Sequence, residues 1–343
     1  MKTLIAASIA TLSFTVTADA GSLSAFSGFA GFGDSLSDKG RFGFLPAPSD
    51  GARFSNGPTW MELIGDEFEA EGLANVNMAV GGATAGDVNT TDGTYALIDL
   101  ITIRDPGNPD DIPLVSLGTF DRQISSFVGA GYDILVGDNP LVGLLFGGND
   151  FLQNLGTAGF NPTDVAMDIA DGVARIADLD PKFDDFLVLN LPEIANTPAN
   201  AGRSAAEKAG ISGAVQFFNS ELDRLMSDLA TTKGISIDVF DLYTVSNNLF
   251  DNAASFGMQT DIPCTESLSD PFGPNLCPTQ ASADAFYFVD GVHPNRIVHS
   301  NIAGNVSRYI SANLTPVPLP AGMPLLLIGM GAFGVARAAR KAA

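Results

Sequence analysis

The chain has 343 residues, 45% of them hydrophobic and 16% charged, which is ample apolar material for a packed core and excludes wholesale disorder. Asp and Glu number 39 against 17 Lys and Arg, a net charge of −22, and a chain this acidic repels phosphate backbones, which excludes nucleic acid as a partner. Two cysteines cannot make a disulfide-dense scaffold or a four-cysteine zinc site.

Residues 1–20 read as a secretory signal peptide. Lys2 supplies the positive start, residues 4–16 a short apolar run, and Ala18-Asp19-Ala20 a small-residue cleavage site that places the cut after Ala20. The mature chain alternates short apolar runs with longer amphipathic segments, the pattern of a parallel sheet covered by helices on both faces. Strands are expected at 27–33, 74–80, 141–147, 186–191 and 235–240. The run Leu141-Val142-Gly143-Leu144-Leu145-Phe146 has no polar residue, as a strand buried on both faces requires. A helix is expected at 60–71, opened by Thr59 and Glu62 as a capping box. Another follows Asn161-Pro162, with Val165, Ile169, Val173 and Ile176 on one stripe. The longest helical region is 205–233, with Phe217, Leu222, Leu225 and Leu229 as its apolar face, and the last helix is 295–312. Residues 87–118 form a long excursion rich in Gly, Asp and Pro, readable as an extra surface hairpin or as a lid or wall of a substrate cleft. Within it, 105–111 reads as an exposed acidic loop, with calcium binding the alternative.

Export makes sense of Cys264 and Cys277, with twelve residues between them in an irregular stretch, as one disulfide. At the C-terminus a stiff Pro-rich segment, 315–322, is followed by fourteen mostly apolar residues and then Arg337, Arg340 and Lys341. Fourteen residues are short for a membrane span, and the basic residues would hold the tail on the cytoplasmic side. Without residues 1–20 and 323–343 the chain keeps 13 basic and 38 acidic groups, a net charge of −25. No internal repeat or linker divides residues 21–315, which read as one domain.

Phe32-Gly33-Asp34-Ser35-Leu36 stands where the first strand ends, so the Ser35 hydroxyl is expected to be exposed at a helix start with free N–H groups around it. A hydroxyl needs a base to act as a nucleophile near neutral pH, and only His293 and His299 carry an imidazole. His293 follows Asp290 by three residues, a spacing that in a tight turn lets the carboxylate accept from one ring nitrogen while the other faces the serine. His299, six residues further on, reads as packing or surface. Donors for a developing oxyanion are Gly82, in Val80-Gly81-Gly82-Ala83, and the Asn149 amide, in Gly147-Gly148-Asn149-Asp150. Ser35, Gly82 and Asn149 fall at the carboxyl ends of three strands, the edge where open α/β sheets place ligands. Singly, each has a plainer reading: Ser35 and Asn149 as helix caps, Gly81-Gly82 as a tight turn, Asp290 as a turn residue, His293 as a surface histidine.

These stretches together resemble the GDSL lipases and esterases, the SGNH hydrolases. Phe32-Gly33-Asp34-Ser35-Leu36-Ser37-Asp38 is similar to the family's first block, 77–83 to its second, 147–150 to its third and Asp290-Gly291-Val292-His293-Pro294 to its fifth. Arg53-Phe54-Ser55-Asn56-Gly57-Pro58 and 186–198 are also similar to family sequence, and the resemblance spans 25–311. It implies a three-layer α/β/α sandwich, flavodoxin-like, with a five-stranded parallel sheet of order 2-1-3-4-5. It implies Ser35 as nucleophile, Asp290 and His293 as the rest of a triad, and Gly82, Asn149 and the Ser35 N–H as an oxyanion hole, with no cofactor or metal. The C-terminal segment resembles the VPLPA-CTERM type of sorting signal, which implies a Gram-negative exporter, a sorting peptidase, transient anchoring in the inner membrane and a final place at or outside the cell surface. The expected activity is hydrolysis of carboxylic, including lipid, esters. The alternative is a non-catalytic extracellular matrix or adhesion module on the same fold. Phe250, Phe256 and Met258 hint at an apolar acyl pocket.

Overall fold

The computed structural model describes residues 23–41, 45, 47–86, 118–265 and 275–314. The proposed signal peptide, most of the excursion at 87–118 with its acidic loop, and the C-terminal tail from 315 lie outside the described residues. The main compact unit is Phe26–Tyr309. The described residues outside it form a 3-10 turn, Leu23–Ala25, and a π turn, Ile310–Leu314.

In chain order the unit runs β1 (Gly28–Gly33), α1 (Trp60–Ala70), β2 (Ala74–Asn77), α2 (Phe120–Gly129), α3 (Tyr132–Leu135), β3 (Pro140–Leu145), α4 (Gly148–Asn154), α5 (Pro162–Leu179), β4 (Asp185–Leu189), α6 (Ala205–Lys233), β5 (Ser236–Phe240), α7 (Leu242–Asp251), α8 (Gln280–Ala283) and α9 (Arg296–Tyr309). All four strand pairings are parallel and the sheet order is β2-β1-β3-β4-β5, the expected architecture. Each of the five expected strands is present with ends shifted by a few residues. β2 stops at Asn77 because that side chain turns the chain: its Oδ1 accepts from the Ala79 N–H at 2.8 Å and its Nδ2 donates to the Ser37 carbonyl at 2.8 Å. β3 stops short of Gly147, whose φ of 106° is left-handed and opens α4 instead.

The central strands β1 and β3 are buried throughout, so both sheet faces are covered. Alternation along β1 sorts the core into two layers. Ala30 and Phe32 join the large cluster of α2, α5 and α6, in which Phe120, Phe127, Val173 and Phe218 are fully buried. Phe29 faces the other way and meets Phe68 of α1 with ring centroids 5.3 Å apart. Gly31 on that face lies directly under Met61, where an added Cβ would stand 2.4 Å from the sulfur, so only glycine permits α1 to sit this close.

Helix starts follow local chemistry. Glu62 accepts from the Thr59 N–H at 3.0 Å, closing the expected capping box, and also takes a forked pair from Arg53. Asn161 caps α5 with Pro162 in its first turn. α6 has the expected bounds, but its buried face differs: Phe218 is buried and Phe217 is half exposed. The two rings point about 100° apart on the helix, and Phe218 is the one that meets Phe151 of α4, with centroids 5.4 Å apart. Leu222 is buried as expected, and Leu225 and Leu229 pack partly buried against the core. Helices α2, α3, α4, α7 and α8 have no counterpart in the sequence reading.

Candidate active site

Ser35 does not begin a helix, contrary to the expectation; it sits in a turn after β1, and the next helix among the described residues starts at Trp60. The turn makes its own support: Asp34 Oδ1 accepts from the Leu36 N–H at 3.0 Å and the Ser37 N–H donates to the Asp34 carbonyl at 3.0 Å. The end of β1 is gripped from α2, where Gln123 Oε1 accepts from the Gly33 N–H at 3.0 Å and its Nε2 donates to the Gly33 carbonyl at 2.8 Å. The Ser35 side chain therefore leaves a backbone with little freedom.

His293 reaches Ser35 from 258 residues away, with 2.8 Å between its Nε2 and the Ser35 Oγ. Its Nδ1 lies 2.8 and 2.9 Å from the two Asp290 oxygens. Asp290 Oδ1 also accepts the Val292 and His293 backbone N–H groups, at 2.9 and 2.8 Å, so the turn builds the carboxylate–imidazole pair locally. The turn is closed by the Val289 N–H on the His293 carbonyl at 2.8 Å. Burial pushes the Asp290 carboxyl up, but His293 and the two backbone donors outweigh it and hold it below the ordinary carboxylate value. An ionised Asp290 keeps the Nδ1 proton in place and leaves Nε2 free to accept from the serine hydroxyl. Phe54 packs on the imidazole, its centroid 4.9 Å from the ring.

Gly82 occupies the third position of a turn at 80–83, closed by the Ala83 N–H on the Val80 carbonyl at 3.2 Å, and its φ of 81° marks type II geometry. Its own N–H has no acceptor among the described residues. Asn149 lies in the first turn of α4, and its Nδ2 donates one hydrogen to the Ala83 carbonyl at 2.9 Å, leaving the other free. Ser35, Asn149 and His293 line one cleft; Gly82 lies outside its wall and is linked to it through Ala83 and Asn149.

Most of the cleft's wall is apolar, with Leu36, Trp60, Leu191, Leu242 and Phe250 among its residues. Phe250 is there as expected, but Phe256 is exposed and Met258 is buried against Asn295, so neither belongs to the wall. His299 is fully buried in the cleft's lining, as a packing residue. Its Nδ1 accepts from the Trp60 N–H at 3.3 Å, and burial first, then His293, pushes its imidazole down to about 3. Cys264 and Cys277 are joined in a disulfide, their Cα atoms 5.5 Å apart.

Three buried carboxylates escaped the sequence reading because their motif positions carried no spacing cue of their own. Burial pushes Asp34 up to about 7 and Asp150 up to about 6, and raises Asp38 as well. Gln123 escaped too, since a lone glutamine on a helix face has no signature. Among the described residues no cluster of three or more His, Cys, Asp or Glu could hold a metal ion, and no helix is long and apolar enough to cross a membrane.

The sequence matches the family model of GDSL-like lipase/acylhydrolase over residues 30–306. The chain belongs to the GDSL family. It is 28% identical over 300 residues to a phosphatidylcholine-sterol acyltransferase from Aeromonas hydrophila, covering 83% of this chain and 80% of that protein. Among solved structures it is similar to phospholipase A1 from Streptomyces albidoflavus (17% identity, TM-score 0.39, covering 82% of this chain and 99% of the other). It is also similar to a carbohydrate acetylesterase from Sinorhizobium meliloti (14%, 0.41, 83% and 98%). As a member of the GDSL family the protein is an ester-acting hydrolase.

Proposed function

We propose that this GDSL hydrolase cleaves carboxylic esters through an acyl-enzyme on Ser35. The observation that carries the reading is the unbroken relay from Ser35 Oγ through the His293 ring to Asp290, with 2.8 Å at each junction. Ser35 Oγ attacks the ester carbonyl carbon as His293 Nε2 takes its proton. The carbonyl electron pair moves onto oxygen, and that oxyanion is held by the Ser35 and Gly82 N–H groups and the free hydrogen of the Asn149 amide. The pair then returns, the bond to the alcohol breaks, and His293 returns the proton to the departing alkoxide. Water, or a second alcohol in an acyl transfer, repeats the sequence and frees Ser35. Asp290 stays ionised throughout and stabilises the imidazolium.

The apolar cleft wall supports a lipid-like acyl group, and so does the likeness to a phosphatidylcholine-sterol acyltransferase. Export and sorting complete the reading: residues 1–20 direct secretion, the disulfide suits an oxidising compartment, and the tail from 316 is handled by a membrane peptidase that leaves the protein at or beyond the cell surface. A mature N-terminus at Gly21, read by mass spectrometry from the host's envelope and medium, is the expected result; an intact Met1 in both would end the export reading.

The decisive chemical test is Ser35→Ala. Turnover of p-nitrophenyl esters should fall by at least ~10³-fold with the circular dichroism spectrum unchanged. Near-normal turnover by that variant would remove Ser35 from the reaction. Run on the wild type, a series of acyl chain lengths with one phospholipid then defines the substrate.

A further inference from the structure

Glycine at both central positions leaves the turn at 80–83 without side chains of its own to hold it, so its aim depends on partners from elsewhere. Those partners grip it from two sides. On one, fully buried Asp38 accepts the Gly81 N–H through Oδ2 at 2.7 Å, while Oδ1 accepts the Gly40 and Arg41 N–H groups at 2.9 Å each. On the other, Asn149 takes the Ala83 carbonyl, and Asp150 Oδ2 accepts the Ala85 N–H at 3.0 Å. Between them the Gly82 N–H has no acceptor among the described residues, and Gly82 is only partly buried.

Asp38 lies three residues past Ser35, on the same loop. That loop is tied to the end of β2 a second time, where Asn77 Nδ2 donates to the Ser37 carbonyl. The nucleophile's loop and the glycine turn are thus fastened into one body. We propose that Asp38 is a positioning residue: by holding the Gly81 N–H it keeps the adjacent Gly82 N–H aimed at the oxygen that turns negative during ester cleavage. The inference rests on the reading of Gly82 as an oxyanion donor. Asp38 touches no substrate; it acts one peptide away, on a donor that matters only in the transition state. Its loss should therefore appear in kcat and leave KM alone.

The test uses the full chain, p-nitrophenyl butyrate as substrate and phenylboronic acid as the tetrahedral probe. Four forms accompany the wild type: Asp38→Asn, Gly81→Pro, the double variant, and Ser35→Ala. Asp38→Asn keeps the shape of the side chain but turns an acceptor into a donor. Gly81→Pro removes the N–H itself at the second position of a type II turn, where proline is favoured. For Asp38→Asn, kcat per folded molecule should fall on the order of 10- to 100-fold, short of deleting a donor outright. KM should stay within about threefold, and the boronate inhibition constant should rise by the same factor as kcat falls. Gly81→Pro should show the same pattern, and the double variant should be no worse than the worse single one, because both remove one bond. If Asp38→Asn does not fold, Gly81→Pro, which leaves the carboxylate in place, carries the same measurements. An unchanged kcat, a fallen kcat with unchanged boronate affinity, or single losses that multiply in the double variant would each overturn the assignment. Ser35→Ala separates the two readings: an inactive Ser35→Ala beside a fully active Asp38→Asn overturns this inference alone, whereas an active Ser35→Ala overturns the chemistry beneath it.

Discussion

Asp290 and His293 sit three residues apart, so a short turn suffices to pair them, and the turn's own N–H groups at 292 and 293 hold the carboxylate in register. Asn149 is held in a comparable way, one amide hydrogen committed to the Ala83 carbonyl and the other without a partner among the described residues. Replacing Asn149 with Ala should lower kcat on the order of 10²–10³-fold with little change in KM, and an unchanged kcat would take it out of the oxyanion site. His299 makes a prediction of a different kind. Folded, it is neutral down to about pH 3; unfolded, it takes up a proton below about 6.5. The stability it contributes is present above pH 6.5 and is lost as pH falls towards 3, roughly 5 kcal/mol over the whole interval. Asp34 works in the opposite sense: its stabilisation is present below the ordinary carboxylate value of 3.8 and is lost as pH rises through about 7. The difference between wild type and His299→Leu isolates the histidine. Urea midpoints from pH 7 to 4 should fall more steeply for the wild type, and parallel curves would show that His299 is protonated in the fold.

At the scale of elements, β3 was legible because six consecutive apolar residues admit few structures other than a strand covered on both faces. α5 was legible because a proline, a cap and a stripe agree. α2 was not, although its cap Thr119 accepts from the Arg122 N–H at 3.3 Å. Its buried face includes the polar Gln123, whose place in the core makes sense only once Gly33 of β1 lies opposite. Gln123→Leu should cost about 2 kcal/mol, because it leaves the Gly33 N–H buried and unpaired beside a strand end. Equilibrium urea unfolding reads this directly, and a loss below about 0.5 kcal/mol would show that the clasp is dispensable. On α6, sequence placed the helix to the residue but chose Phe217 over Phe218. With apolar side chains at both positions, the sheet's location, and not the helix's periodicity, decides which faces inward.

For the whole molecule, the fifth motif depends on a region distant in sequence from the nucleophile. The disulfide lies in a small core with Ala283, Phe286 and Val289. Beside it the Cys264 and Thr265 N–H groups donate to the Phe288 and Val289 carbonyls, at 3.0 and 2.9 Å, immediately before Asp290. Replacing both cysteines with Ser should lower stability by about 3 kcal/mol through the loop closed across 13 residues. It should also reduce kcat by loosening the carboxylate's support. Urea unfolding with and without reductant, followed by ester turnover, checks both effects; unchanged midpoints would show that the bridge does not stabilise the fold.

Strand number, the order of the motifs and the residue types available for ester chemistry were all readable in the chain, because apolar runs, caps and turn-forming glycines act over a few residues. The 2.8 Å approach of Ser35 to His293 could not be read in this way, nor could the burial of Asp34, Asp38 and Asp150, or the closure of Gln123 on Gly33. Each of these depends on segments tens to hundreds of residues apart meeting at one edge of the sheet. Desolvation and hydrogen-bond geometry act only after that meeting, so it took the folded molecule to decide them.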